Sequence, residues 1–135
     1  MPPLTRWFIK AALIYLVSAL CIGILLVLPI ESPISGLFPA YLHTLTFGWL
    51  TQLIFGVAIW MFPKYSSAHP RGHEWLGWLT FIFLNAGLIL RIIFEPINST
   101  SPSQFNGWML VIAAILQWLA GTTFVVNTWT RVKEK

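Results

Sequence analysis

Long apolar runs alternate with short polar segments along the whole chain. Four of the runs reach about 20 residues, the length that an α-helix needs to cross a hydrocarbon core of about 30 Å. This pattern predicts four transmembrane helices at residues 7–28, 41–62, 74–94 and 108–130. The segments between the runs hold clusters of Pro, Gly, Ser and Asn, which favour turns. Because short connections place successive helices side by side in opposite directions, we expect an all-α integral membrane protein, an antiparallel four-helix bundle that forms one domain over residues 1–135.

The composition favours a membrane location. Hydrophobic residues make up 57% of the chain and charged residues only 9%, whereas soluble domains carry about 25% charged residues. The net charge of +4 would suit nucleic acid in a soluble protein. Here the cations lie at the ends of the apolar runs, so we expect no nucleic-acid partner. The 18 uncharged residues 11–28 exceed the core of a secretory signal and predict a retained first helix.

The distribution of charge predicts the orientation in the membrane. Cations precede the first helix and recur in the second connection and the C-terminal tail: Arg6, Lys10, Lys64, Arg71, Arg131, Lys133 and Lys135. The first and third connections hold the carboxylates Glu31 and Glu95. Because basic segments stay on the cytoplasmic side, we expect both termini in the cytoplasm, in a multi-pass protein of a cell inner membrane.

Three amide side chains are expected near the middle of the membrane: Gln52, Asn85 and Gln117. Lipid tails offer no hydrogen bonds, so we interpret these amides as an interhelical network that fixes the register of the helices. A proton path would favour carboxylates, and none is expected at that depth. A second pattern, with mostly small residues every four positions, predicts close packing of the second helix: Thr44, Gly48, Gln52 and Gly56.

A histidine lies about one turn inside the expected outer end of the second helix. His43 is followed on the same face by Phe47. A histidine in a membrane either hydrogen-bonds a neighbour or binds a metal or haem. Arg91 is expected at a similar depth on the third helix, where its guanidinium either reaches the interface or pairs with an anionic group such as a haem propionate. A histidine and an arginine at one level favour a haem site.

The other two histidines, His69 and His73, belong to the second connection. A helix of about 20 residues separates them from His43, which at a rise of about 1.5 Å per residue amounts to roughly 30 Å. They cannot share a metal with His43. Pro70 and Gly72 disfavour the helical geometry that a His-x-x-x-His zinc site needs, so we expect both to be solvated.

The stretch LHTLTFGWLTQLIFGVAIWMFPK, residues 42–64, resembles the second helix of haem-copper oxidase subunit I, particularly the C-type oxidase and nitric oxide reductase branch. In that family a histidine near the outer end of this helix, often within LHT, is an axial ligand of low-spin haem b. The resemblance implies that His43 binds the iron of a haem b. It covers the second helix, and the flanking helices match in hydropathy alone.

The chain departs from that family after the second helix. It lacks the later helices that supply the second axial ligand and the adjacent histidines of the copper or non-haem iron centre, so we expect no catalytic residue and no enzyme activity of the chain alone. Three sources of a sixth ligand stay open. They are a second His43 across the axis of a homodimer, a histidine of a different subunit, and Met109 near the start of the fourth helix.

The expected function is that of a truncated, haem b-binding membrane protein in electron transport or haem-based sensing. The haem would belong to one chain or be shared by a dimer, with four candidate cofactor-binding residues: His43, Phe47, Arg91 and Met109. The alternative is a non-catalytic structural subunit of a respiratory or photosynthetic complex without its own cofactor. A transporter is a third class, but no inverted repeat supports it. The expected partners are the lipid bilayer and a second copy or a larger membrane complex.

Overall fold

The computed structural model describes residues 1–29, 34–67 and 70–132. These residues form four helices and no β-strand: α1 (Pro3–Val27), α2 (Leu37–Met61), α3 (Glu74–Thr100) and α4 (Gln104–Trp129). All four are long and apolar enough to span a membrane. The prediction of an all-α four-helix bundle is therefore confirmed. The predictions for Glu31, His69, Lys133 and Lys135 fall outside the described residues.

The four helices form two antiparallel pairs. α1 packs along α2, and α3 packs along α4. Contacts between α2 and α3 join the pairs. One end of the bundle, named the His43 end, holds His43 and the connection between α3 and α4. The opposite end, named the Arg131 end, holds the start of α1, the end of α2 and the residue Arg131.

Polar groups lie inside the bundle and large apolar groups lie on its surface. The buried polar or charged side chains are Thr5, Thr44, Gln52, Thr80, Glu95, Asn127, Thr128 and Arg131. α1 exposes branched aliphatic residues along its length, for example Ile14 at 66% and Val17 at 62%. A soluble protein rarely exposes so continuous an apolar surface, whereas the interior of a membrane bundle collects the polar groups that lipid cannot satisfy.

Small residues on α2 allow α1 to approach closely, as the sequence predicts. A Cβ atom at Gly48 would lie 2.8 Å from Cβ of Tyr15, and one at Gly56 would lie 2.6 Å from Cβ of Phe8. Thr44 and Gln52, on the same face, are fully buried. A larger side chain at either glycine would therefore separate the two helices.

The amide network has fewer members than the sequence predicts. Gln52 Nε2 donates a long bond of 3.4 Å to Asn85 Oδ1, and Asn85 Nδ2 donates to the Phe81 carbonyl oxygen at 2.7 Å. Gln117 takes no part in it, because its Oε1 accepts a bond from Arg91. The register of α3 on α4 is instead supported by a bond of 2.9 Å between the hydroxyls of Thr80 and Thr123.

The third helix continues past the position where the sequence predicts its end. α3 includes Pro96 and runs to Thr100, so Glu95 is a helical residue rather than a loop residue. Proline inside a helix loses one backbone hydrogen bond, but its fixed φ is compatible with helical geometry. This extension adds more than one turn to α3 and places Glu95 in the packed part of the bundle.

The fourth helix begins earlier than predicted, at Gln104. The side chain of Ser103 accepts a hydrogen bond of 3.1 Å from the backbone N–H of Asn106, which is the capping arrangement that favours a helix start. Asn106 Nδ2 donates to the Ser101 carbonyl oxygen at 3.0 Å, which closes the short connection to α3.

Arg131 fixes the opposite end of the bundle. Its guanidinium is fully buried and donates to the carbonyl oxygens of Ile59 at 2.9 Å, Phe62 at 2.9 Å and Pro63 at 3.0 Å. The carbonyls at a helix C-terminus have no partner within the helix, so Arg131 caps the end of α2. Burial, and then the charge of Arg71, lowers the pKa of Arg131. Arg131 therefore has a packing role that its position in a basic tail does not predict.

Candidate functional site

Four polar side chains from three helices meet near the His43 end. We name them the His43 cluster: His43 on α2, Arg91 and Glu95 on α3, and Gln117 on α4. Nδ1 of His43 lies 3.0 Å from Oε1 and 3.2 Å from Oε2 of Glu95. Arg91 Nη1 donates to Glu95 Oε1 at 3.0 Å, and Arg91 Nε donates to Gln117 Oε1 at 2.9 Å. The cluster therefore links α2, α3 and α4 by a continuous path of hydrogen bonds.

Local helix geometry explains how Glu95 reaches the cluster. Arg91 and Glu95 are four residues apart on α3, so their side chains are neighbours on one face of the helix. The segment before α2 packs on the same turn, where a Cβ atom at Gly36 would lie 2.6 Å from the Glu95 carbonyl oxygen. Gly36 has a φ of +76°, which favours glycine. Glu95 is left with 8% of its surface exposed.

The environment of Nδ1 determines the proton position on the His43 ring. Nδ1 lies 2.9 Å from the Pro39 carbonyl oxygen and also faces the Glu95 carboxylate. Both partners are acceptors, so Nδ1 carries the proton. In the neutral ring, Nε2 then keeps its lone pair. A carboxylate or carbonyl on the far nitrogen is the usual support of a metal-binding imidazole.

The His43 side chain keeps 26% of its surface exposed. Phe47, one turn along α2, stacks on the ring with 6.0 Å between centroids and 22° between planes. The residue after His43 begins a π-helical stretch, Thr44–Thr51. Such stretches are rare, and many of those that occur lie at functional sites. Among the described residues, no hydrogen bond to Nε2 occurs.

The sequence predicts that Arg91 lies at the level of His43. In the structure, Glu95 bonds to both of these side chains. Nε and Nη1 of Arg91 are bonded to Gln117 and Glu95. Nη2 makes no hydrogen bond within the described ranges. A role for Arg91 beside a haem propionate therefore stays a prediction, with Nη2 as the donor that is left for it.

Met109 lies at about the level of Glu95. α3 and α4 are antiparallel, and the hydroxyls of Thr80 and Thr123 lie 2.9 Å apart. Glu95 follows Thr80 by 15 residues, and Met109 precedes Thr123 by 14. At a rise of about 1.5 Å per residue, Met109 and Glu95 therefore lie within about 2 Å of one level along the helix axis. A role for Met109 as a ligand opposite His43 stays a prediction.

Other candidate ligands are far from the cluster. His73 precedes α3 at the Arg131 end, where its backbone N–H donates to Asn127 Oδ1 at 3.0 Å. The described part of the chain holds no group of three His, Cys, Asp or Glu side chains that could bind a metal ion. A metal at His43 would therefore need a prosthetic group or a second chain to complete its coordination.

Glu95 is the site residue that the sequence pattern did not reveal. The signal was present, because Glu95 follows Arg91 at the spacing of a helical ion pair. Pro96 and the polar stretch after it favoured a turn at that point instead.

No known protein family, curated protein or solved structure matches the chain. The relationship to the haem-copper oxidases therefore stays a prediction that rests on the second helix.

Proposed function

We propose that the protein binds haem b through Nε2 of His43 and acts in electron transfer or haem-based sensing. The observation that supports the proposal most is the hydrogen bond from Nδ1 of His43 to the buried carboxylate of Glu95. It leaves Nε2 as the basic nitrogen of the ring and holds the ring in one orientation. The His43 side chain also keeps 26% of its surface exposed.

The residues present fit a haem in their donor chemistry. His43 would supply a ring nitrogen to the iron, and Phe47, which stacks on the ring, would supply an apolar surface beside it. When bound, the haem would supply a one-electron carrier whose potential depends on its ligands and surroundings. Glu95 would raise the basicity of the imidazole, and Arg91 would hold the Glu95 carboxylate in place. For the second ligand of the iron, a second copy is our first choice because a two-fold axis would present His43 twice; a histidine of a different subunit comes next and Met109 last.

The visible spectrum of the purified protein tests the proposal. Protein expressed with ample haem and purified in detergent should show a Soret band and, when reduced, the sharp α-band of a six-coordinate haem b. His43→Ala should abolish or shift these bands. His73→Ala is the matched control, because His73 lies at the Arg131 end, and it should leave them unchanged. A colourless wild-type protein, or a His43→Ala spectrum identical to that of the wild type, would contradict the proposal.

The second candidate is a structural subunit without its own cofactor. Its support is the continuous path of hydrogen bonds, because Glu95 balances the charge of Arg91, and the two side chains together link three helices without any added group. In that case His43→Ala would lower the melting temperature of a protein that never shows a Soret band.

We infer that the Arg131 end faces the cytoplasm. The cations Arg6, Lys10, Lys64 and Arg71 all lie at that end, which suits the cytoplasmic side of a membrane. Exposed tryptophans occur at the same end: Trp7, Trp60, Trp75 and Trp129. Such residues are enriched where a helix meets the membrane surface.

A further inference from the structure

We propose that a cleft at the start of α1 binds the headgroup of an anionic phospholipid. The cleft has a volume of about 200 Å³ and is lined by Pro3, Arg6, Trp7 and Lys10. Arg6 and Lys10 are four residues apart on α1, so their side chains emerge from the same face, one turn apart. Two cations thus converge on one opening at the Arg131 end.

Neither cation has a partner within the described part of the chain. Arg6 and Lys10 are exposed, and their side chains make no ion pair or hydrogen bond with another described residue. The one carboxylate described at this end, Glu74, lines a different cavity together with Arg71. Among the described residues, no carboxylate pairs with Arg6 or Lys10. A phosphate suits both, because guanidinium and ammonium groups form strong charge-assisted bonds with it.

The surface next to the cations identifies the ligand as a lipid. On the side of α1 above Lys10, branched apolar residues are exposed: Ile14 at 66%, Val17 at 62% and Ile24 at 59%. They continue for 14 residues beyond Lys10, or about 21 Å along the helix. A cationic opening that leads into an apolar strip of that length matches a phosphate headgroup with acyl chains. A free anion would use only the charged part.

Trp7 forms the side of the cleft. The residue is 56% exposed, and its ring contacts Phe81 of α3 edge-on, with 6.5 Å between ring centroids. Contact with a second helix limits the motion of the indole. An indole with one apolar face and a polar N–H suits the level of lipid headgroups.

Lipid titration followed by native mass spectrometry tests the proposal. Purified protein in a neutral detergent is titrated with phosphatidylglycerol and, in parallel, with phosphatidylcholine. The wild type should retain phosphatidylglycerol at lower concentrations than phosphatidylcholine. Each cation near the membrane surface accounts for about a fivefold change in affinity. Arg6→Gln and Lys10→Gln should each weaken phosphatidylglycerol binding by about that factor, and the double variant by about 25-fold.

Lys64→Gln is the matched control, because Lys64 is an exposed cation at the same end and outside the cleft. It should leave the affinity unchanged, and an equal loss would show diffuse charge attraction and overturn the proposal. Unchanged binding by the double variant would overturn it as well. Displacement of the lipid by millimolar inorganic phosphate would assign the cleft to free anions instead. The Arg6→Lys variant keeps the charge and should keep the preference for phosphatidylglycerol, which separates the loss of a site from a folding defect.

Discussion

At the scale of single residues, Glu95 is the centre of the candidate site. It accepts from Arg91 and faces Nδ1 of His43, and its side chain is only 9% exposed. A buried carboxylate is stable in its charged form when cations and donors surround it. Arg91 supplies the charge and His43 supplies a donor, so a change at any of the three affects the other two.

Glu95→Leu should destabilise the protein by about 3 kcal/mol, because it leaves the guanidinium of Arg91 without its counter-charge in a mostly buried site. Adding Arg91→Met to Glu95→Leu should recover part of this loss, since no uncompensated charge then remains. The free energy of unfolding in detergent, measured for both single variants and the double variant, checks the prediction. Additive losses would show that the two side chains do not interact.

Glu95→Gln tests the electronic effect on His43 while the size of the side chain is kept. A neutral amide supports the Nδ1 proton less strongly than a carboxylate, so the imidazole would be a weaker donor to the iron of the proposed haem. In a haem-loaded protein the midpoint potential should rise. Asn85→Leu, which removes a polar group outside the cluster without adding a charge, should leave the potential nearly unchanged. An unaltered potential in Glu95→Gln would remove Glu95 from the proposed ligand environment.

At the scale of elements, the ends and faces of helices decide the packing. Arg131 caps the C-terminus of α2 from beyond the end of α4, and small residues let α1 lie against α2. Neither interaction depends on a large apolar core, which is expected where lipid covers the outside of the bundle. A single substitution can remove each of these two interactions.

Arg131→Met should destabilise the protein by about 3 kcal/mol, because three carbonyl oxygens near the end of α2 lose a charged donor in a buried site. Arg131→Lys should recover only part of the stability, since an ammonium group cannot span the same acceptors as a guanidinium fork. Lys64→Met, at an exposed cation of the same end, is the control and should have little effect. Thermal unfolding in detergent measures all three, and equal melting temperatures for Arg131→Met and the wild type would contradict the assigned cap.

Gly56→Ala should destabilise the pair of α1 and α2 by about 1–3 kcal/mol, because the added methyl group would overlap Phe8. Gly121→Ala on α4 is a matched control, since nothing lies within 4 Å of a Cβ atom there. That change should be neutral or stabilising by up to about 1 kcal/mol, as alanine favours the helix. If both changes gave the same shift in melting temperature, close packing at Gly56 would be disproved.

At the scale of the whole molecule, the bundle has two chemically different ends. The His43 end holds the cluster with its paired charges, and the Arg131 end holds Arg6 and Lys10 of α1, which form no ion pair with another described residue. The apolar surface between the ends is continuous on α1 and on the outside of α4. The orientation that we infer is based on this difference in charge between the two ends.

Cysteine labelling in intact bacterial cells tests that orientation. In a Cys21→Ala background, Ser101→Cys at the His43 end should react with an impermeant maleimide added outside. Lys64→Cys at the Arg131 end should react only after the cells are opened, because charge holds the basic segments inside. Both positions are exposed, so each cysteine can react once the reagent reaches its side of the membrane. The reverse labelling pattern would contradict the proposed orientation.

The sequence determined the number of helices, their pairing and the close face of α2. These features follow from apolar runs of membrane length and from small residues at helical spacing. Both are local patterns, and short connections between helices that span a bilayer leave few ways to pack them. His43 was likewise identified by its place in an apolar run.

The tertiary structure decided the partners of the polar side chains. Pro96 was a local signal for a turn, yet α3 continues and Glu95 is brought to His43 from 52 residues away. Arg131 was a local signal for topology, yet it is buried on carbonyls 68–72 residues away. A sequence pattern shows that a polar group in a membrane needs a partner, but only the packed helices decide which group comes within hydrogen-bonding distance.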